Sequence, residues 1–449
     1  MSYKLLTENQ TPLDSNWFDL LNDICDGLPE VYIKLGPNAE RLEVLRNEFI
    51  NSNYSNNPDL SPRDLDVQQY IEANIALTNL RNLIADKESN DVVVNSYVKR
   101  IDELIAHHNI LIAAVSRNTE SFRALNHLIY GKPNDEIFAA SCNWIRQLAQ
   151  NGLSSKSERT LNAAEGVLGV IPELGGKAEL IIPNNATFES VRRLHLENNG
   201  YLDQLLAGTE IPEGVNQLAG EPILKQVLRN LDSNYSIRDA DVFWGVSHAS
   251  KSIYRPAQYE LSKLQFTGII LHELGSHLLE YVNGSRQPLK LLATGLDRCD
   301  HINEGRAFLR EQIVYENPGI ALNEPSWEHI ITLHLAISLS CGLYDHEYTF
   351  SEVYEVIYKV GLLMQSIRNP NVSVADSAHE QAWITTTRVL KGIPGETYMK
   401  DIVYLEGNVR CWQIAAEKPE RILTGDLGKF DISRQDHLEI LKSINIDVL

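Results

Sequence analysis

The chain has 449 residues, of which 43% are hydrophobic and 22% charged, and a formal net charge of −20. This length suits two or three domains, and the composition excludes low-complexity disorder for the bulk of the chain. Such acidity repels nucleic acid, anionic lipid and acidic protein tails at long range, and no dense Lys/Arg run offsets it, so neither nucleic acid nor membrane is expected as a partner.

Residues 1–16 show no basic stretch followed by an apolar run, so no secretory signal is expected. From about 14 to 150 the chain reads as mostly helical. Segments 66–84 and 93–115 place apolar residues at three- and four-residue intervals. A turn containing Pro133 at 130–135 leads into an amphipathic run at 136–150. The polar stretch 151–158 divides the chain into a helical N-terminal domain, 1–150, and a second domain, 151–449. In the second domain, 178–183 and 241–246 have strand composition, and 251–256 is a partner for the latter. Helical patterns follow at 259–281, 304–314, 327–341 and 351–364, and the tail from Gly425 is short and amphipathic at best. The apolar stretch 330–343 is interrupted by His334 and several Ser and Thr, and is too short to span a bilayer. Cys25, Cys142, Cys299, Cys341 and Cys411 form no CxxC pair and read as reduced thiols of a cytoplasmic protein. The predicted fold class is α+β, predominantly helical, with a small β-sheet. Nothing in the sequence fixes an oligomeric state.

Residues 266–284 read FTGIILHELGSHLLEYVNG and contain an HExxxH pattern at His272, Glu273 and His277. Two histidines and a carboxylate with one position left open suit a catalytic zinc ion, and a glutamate beside the first histidine suits a general base. The spacing is unusual. Residues four apart differ by about 40° around an ideal α-helix, whereas residues five apart differ by about 140°. Both imidazoles reach one ion only if the helix is locally widened, as in a π-bulge, and Gly275 between them is where distortion costs least. The third ligand is expected from the segment DHINEGRAFLREQ at 300–312. Glu304 is the first candidate, and His301, one turn earlier, is the alternative as ligand or as orienter of a ligand.

The string HELGSHLLEYVNGSRQPLKLLATGL at 272–296 resembles the core of the metallopeptidase family that includes the tubulin tyrosine carboxypeptidases and bacterial proteins with a QEGLA motif. Asn283–Gly284, Gln287–Pro288–Leu289 and Gly295–Leu296 match that pattern. NEGRA at 303–307 stands in the QEGLA place, and RVLKG at 388–392 and MKDIVYLEG at 399–407 are similar to later elements. YGKPNDEIFAA at 130–140 is similar to the family's N-terminal helical part. Ser276, Asn303, Arg306 and Lys391 depart from the pattern.

The resemblance implies a gluzincin-like domain holding one Zn2+ through His272, His277 and Glu304, with Glu273 as general base. It also implies a peptide or protein C-terminus as substrate, from which a residue such as tyrosine or another large one is removed. A metallo-endopeptidase, an aminopeptidase or a non-catalytic zinc-binding regulator are the alternative readings. A terminal carboxylate calls for a cation, and Arg388, Lys400, Lys391 and Arg306 are candidates, the first two preferred. Tyr404 is the candidate donor to the oxyanion.

Overall fold

The computed structural model describes residues 11–62, 65–198, 200–240 and 243–446. Positions 1–10, where no secretory signal is expected, and positions 241–242 of an expected strand lie outside the described residues. The chain is predominantly helical as far as Gly152, through helices Ser15–Cys25, Val31–Lys34, Ala39–Asn51, Gln68–Lys87, Asp91–Val115, Thr119–Tyr130 and Asp135–Gly152. Their starts are set by local chemistry. Asn38, Asn90, Asn118 and Asn134 each accept a backbone N–H of the first turn, satisfying donors that the helix itself leaves open.

Two hydrophobic clusters hold the fold, and each draws residues from both sides of position 150. One joins Phe122, Phe138 and Ile145 to Ile331, Leu335, Ile357 and Leu405. The other joins Tyr97 and Ile101 to Leu224, Ile270, Leu271, Leu309 and Phe430. Among the described residues no helix is long and apolar enough to cross a membrane, and all five cysteines are free.

The small sheets lie between the helical regions. Gly214–Asn216 pairs antiparallel with Glu260–Ser262. Ser252–Pro256 is the centre of a three-stranded sheet, parallel to Ser236–Ala240 and antiparallel to Gly245–Ser247, with Val246 opposite Ile253. The expected pairing of 251–256 with the strand before it is therefore found, but that strand is Gly245–Ser247 and not 241–246, and Phe243 and Trp244 lie outside it. The expected strand at 178–183 is not found: Ala178–Leu180 is a 3-10 turn. Its apolar residues bury against the helix Asp135–Gly152, where Asn143 Nδ2 donates to Gly176 O at 2.6 Å. A helix face satisfies the segment, so alternate burial along a sheet is not needed.

The expected helix at 259–281 starts later, because Glu260–Ser262 is a strand. Ser262 then forms a capping box with Gln265, and the helix runs from Lys263. Helices Pro325–Ser340 and Phe350–Arg368 match expectation, and Ala375–Val389 and Ile402–Glu417 are additional. Ile402–Glu417 is buried on nearly every side, so it lacks the one-sided apolar stripe that marks a helix in a sequence.

That helix packs along Asp300–Gln312 with backbone touching backbone. A Cβ on Gly305 would lie 2.2 Å from Gly407 C, and one on Gly407 would lie 1.8 Å from His301 O. The glycines of NEGRA and YLEG thus set the closest approach of the helices carrying Glu304 and Tyr404. Gly407→Ala is expected to destabilise the protein by more than about 2 kcal/mol through forced separation. Gly166→Ala, in a helix with nothing within 4 Å of the added carbon, is expected to be neutral or mildly stabilising. Thermal melting of both variants checks this; equal midpoints would contradict it.

Candidate metal centre

The helix carrying the HExxxH pattern is not a regular α-helix. Lys263–Ile269 is α-helical, Ile270–Leu278 is a π-helix, and Leu279–Gly284 returns to α. A turn closed by hydrogen bonds five residues apart brings positions i and i+5 onto one face. The expected widening around Gly275 is present and extends over nine residues. Ser276 Oγ donates to Leu271 O at 2.9 Å, five residues back, and Arg310 Nη1 donates to Gly275 O at 2.6 Å. The wide turn therefore has side-chain partners of its own.

His272 and His277 consequently face the same space, their ring centroids 5.2 Å apart. Glu304 reaches them from the helix Asp300–Gln312. Its Oε2 is 3.5 Å from His277 Nε2 and 4.0 Å from His272 Nε2. One ligand atom from each of the three residues lies within 4.8 Å of the others. Two ligands each about 2 Å from a tetrahedral zinc ion stand about 3.4 Å apart, so the spacing suits a single small cation. Two imidazole nitrogens and one carboxylate match zinc in donor type as well.

Electrostatics favour a cation at the same place. Burial pushes the His272 imidazole down. A 3.0 Å contact from Nδ1 to Glu311 Oε2, with Glu273 and Glu304 close by, outweighs it and raises the pKa to about 9. Burial pushes Glu304 up, but the two imidazoles and Lys400 hold it down to about 2. Glu273 is raised by burial, opposed by both histidines. A cluster that holds an extra proton on an imidazole is one whose carboxylates favour positive charge.

Glu311 was missed in the sequence. It occupies Nδ1 of His272 and so leaves Nε2 for a metal, the arrangement by which outer carboxylates fix a ligand's tautomer and orientation. The signal was there: Glu304 and Glu311 are seven residues apart, two turns along one helix face. Phe308, between them, packs edge-on against His272 at 4.7 Å.

The structure separates the remaining candidates. Arg306 is corrected: it has no exposed surface and cannot reach a substrate. Its Nε donates to Ile422 O at 3.0 Å, its Nη1 to Glu280 Oε1 at 2.5 Å and its Nη2 to Asp426. Asp426 also accepts from Arg310, so Arg306 belongs to the network behind the wide turn. His301 lines a separate cavity with Glu406, Arg410 and Asp431, and is not among the three convergent donors.

Tyr404 packs against Phe308 at 5.6 Å, one ring away from His272. Its hydroxyl accepts from Arg388 Nη2 at 2.9 Å, and Arg388 also grips Asp401 through Nε and Nη2 at 2.5 and 2.9 Å. Burial holds the Tyr404 hydroxyl far above its ordinary pKa, so it keeps its proton. Lys391 and Lys400 line a cavity with Arg388, and the Lys400 ammonium sits 3.8 Å over the Tyr32 ring.

Residues 222–318 match the family model for microtubule-associated tyrosine carboxypeptidase. That stretch carries all three convergent donors, Glu273 and Glu311, while the elements at 388–407 lie beyond it. The resemblance read from 272–296 and 303–307 thus agrees with an independent comparison. No curated protein and no solved structure matches the chain.

Glu311→Gln is expected to weaken zinc binding by roughly 10- to 100-fold, as loss of an outer carboxylate does elsewhere. Competition against a chromogenic chelator measures it, and an unchanged affinity would mean that Glu311 does not orient His272.

Proposed function

We propose that this protein is a zinc-dependent peptidase of carboxypeptidase type, acting on the C-terminus of a peptide or protein through a gluzincin-like site in residues 151–449. The observation that carries this reading is the convergence of His272, His277 and Glu304, with Glu273 beside the first ligand. Zinc held there supplies Lewis acidity, polarising the scissile carbonyl and making water a stronger acid.

The chain's own residues do the rest. Glu273 takes the proton from the attacking water and returns it to the departing amine; a carboxyl whose pKa is raised by burial is suited to both halves of that transfer. Tyr404 accepts a hydrogen bond from Arg388, so its own proton is left to donate to the oxyanion. Arg388 holds that hydroxyl in place, and Asp401 holds Arg388. The net charge of −20 favours a C-terminus that is not itself embedded in a strongly acidic tail.

Glu273→Gln is expected to retain zinc and to lose at least about 100-fold in peptide cleavage, the usual share of a general base. Metal analysis alongside digestion of a peptide library tests this. Equal digestion by wild type and variant would remove Glu273 from the mechanism. Cleavage of peptides with blocked C-termini would show an endopeptidase or aminopeptidase instead.

A further inference from the structure

The cavity that receives His301 has a volume of about 400 Å³ and contains none of the three convergent donors. The carboxylates of Glu136, Glu406 and Asp431 and the guanidinium of Arg410 share its wall. Among the described residues its histidine and carboxylate groups do not converge as His272, His277 and Glu304 do, so the cavity is not a second metal site.

Its opposite charges line one space without meeting. Asp431 is only 7% exposed. Its Oδ1 accepts from Ser433 N at 2.7 Å and from Ser433 Oγ, and its Oδ2 has no hydrogen bond among the described residues. Arg410 Nε donates to the same Ser433 Oγ at 2.7 Å, which leaves both of its amino groups. Neither Asp431 nor Arg410 makes an ion pair among the described residues. A carboxylate buried this deeply ordinarily has a cation in reach. Glu406 is held in a similar way: its Oε1 accepts from Asn134 N at 2.7 Å and lies 3.1 Å from His334 Nε2, so its Oε2 is left over. Burial keeps the His301 imidazole below its ordinary pKa and uncharged at neutral pH. The wall therefore sets three carboxylates against one guanidinium.

These groups select a ligand. A lone cation leaves Arg410 unmatched, and a lone anion meets three carboxylates. A molecule with both an ammonium and a carboxylate satisfies the two sides at once. Its carboxylate fits the fork of the Arg410 amino groups, and its ammonium donates to Asp431 Oδ2 and Glu406 Oε2. Ile137 and Val409, both buried, and Leu180 supply an apolar side to the same space. The volume falls within the roughly 300–1,000 Å³ of pockets that enclose small organic ligands.

We propose that this cavity binds a free α-amino acid with an apolar side chain, Arg410 taking its carboxylate and Asp431 and Glu406 its ammonium. The site does not depend on what the metal centre does. Calorimetry on the whole zinc-loaded chain tests it with three ligands: L-leucine, 4-methylpentanoic acid, which lacks the amine, and 3-methylbutylamine, which lacks the carboxylate. Leucine is expected to bind at least about tenfold more tightly than either of the others. Arg410→Gln changes an exposed side chain and should weaken leucine at least about tenfold while leaving the amine as it was. Glu406→Gln keeps an oxygen for the Asn134 N–H and should weaken leucine and the amine alike, without weakening the acid. Leucine binding that survives Arg410→Gln, an amine that binds as tightly as leucine, or no binding of leucine at about 10 mM would each overturn the proposal.

Discussion

Everything at the candidate metal centre depends on one backbone distortion, the π-helical stretch Ile270–Leu278. In a regular α-helix His272 and His277 would diverge by about 140° and share nothing. The wide turn leaves backbone groups out of the ordinary ladder, and a buried carbonyl without a partner is costly. Ser276 and Arg310 supply partners, and Asp426 ties Arg310 to Arg306, which in turn pairs with Glu280 on the same helix two residues past the wide turn. Fully buried ion pairs seldom add net stability over an apolar alternative, but removing one partner typically costs about 3–5 kcal/mol. Their role here is to hold a single backbone conformation that the bare helix would not choose.

The short motifs around the metal residues are mostly parts of that frame. Asn283 Nδ2 donates to Asp426 O at 2.8 Å and Gln287 Nε2 to Leu427 O at 3.1 Å, fastening the segment that bears Asp426. A Cβ on Gly284 would lie 2.3 Å from Leu292 O, and one on Gly425 would lie 2.3 Å from the Arg306 guanidinium carbon. Gly305 and Gly407 let the Glu304 helix and the Tyr404 helix touch. Local strings thus fix the approach of distant segments, and the chemistry is left to a handful of side chains.

How much of this was legible in the sequence follows from the range of each interaction. Helices at 66–84 and 93–115 declared themselves by apolar spacing, and the need for a widened turn followed from helix geometry applied to His272 and His277. Spacing made Glu304 a candidate, but it was the resemblance at 303–307 that singled it out, and His301 competed until the fold turned it towards another cavity. Arg306 misled because a cation beside a metal helix looks like a substrate ligand, while its partners, Glu280 and Asp426, lie 26 and 120 residues away. The 3-10 turn at Ala178–Leu180 and the late start of the helix at Lys263 were hidden for a similar reason: a helix face and a neighbouring strand, both tertiary, override local propensity. Tyr32 could not have been placed at all, because nothing in its own sequence neighbourhood points to residues 388–401.

X-ray absorption at the zinc edge of the purified protein measures the coordination directly. The account predicts a four-coordinate ion with two imidazoles and the remainder oxygen, falling to one imidazole in His277→Ala. Sulfur scattering, or a wild-type spectrum with a single imidazole, would contradict it.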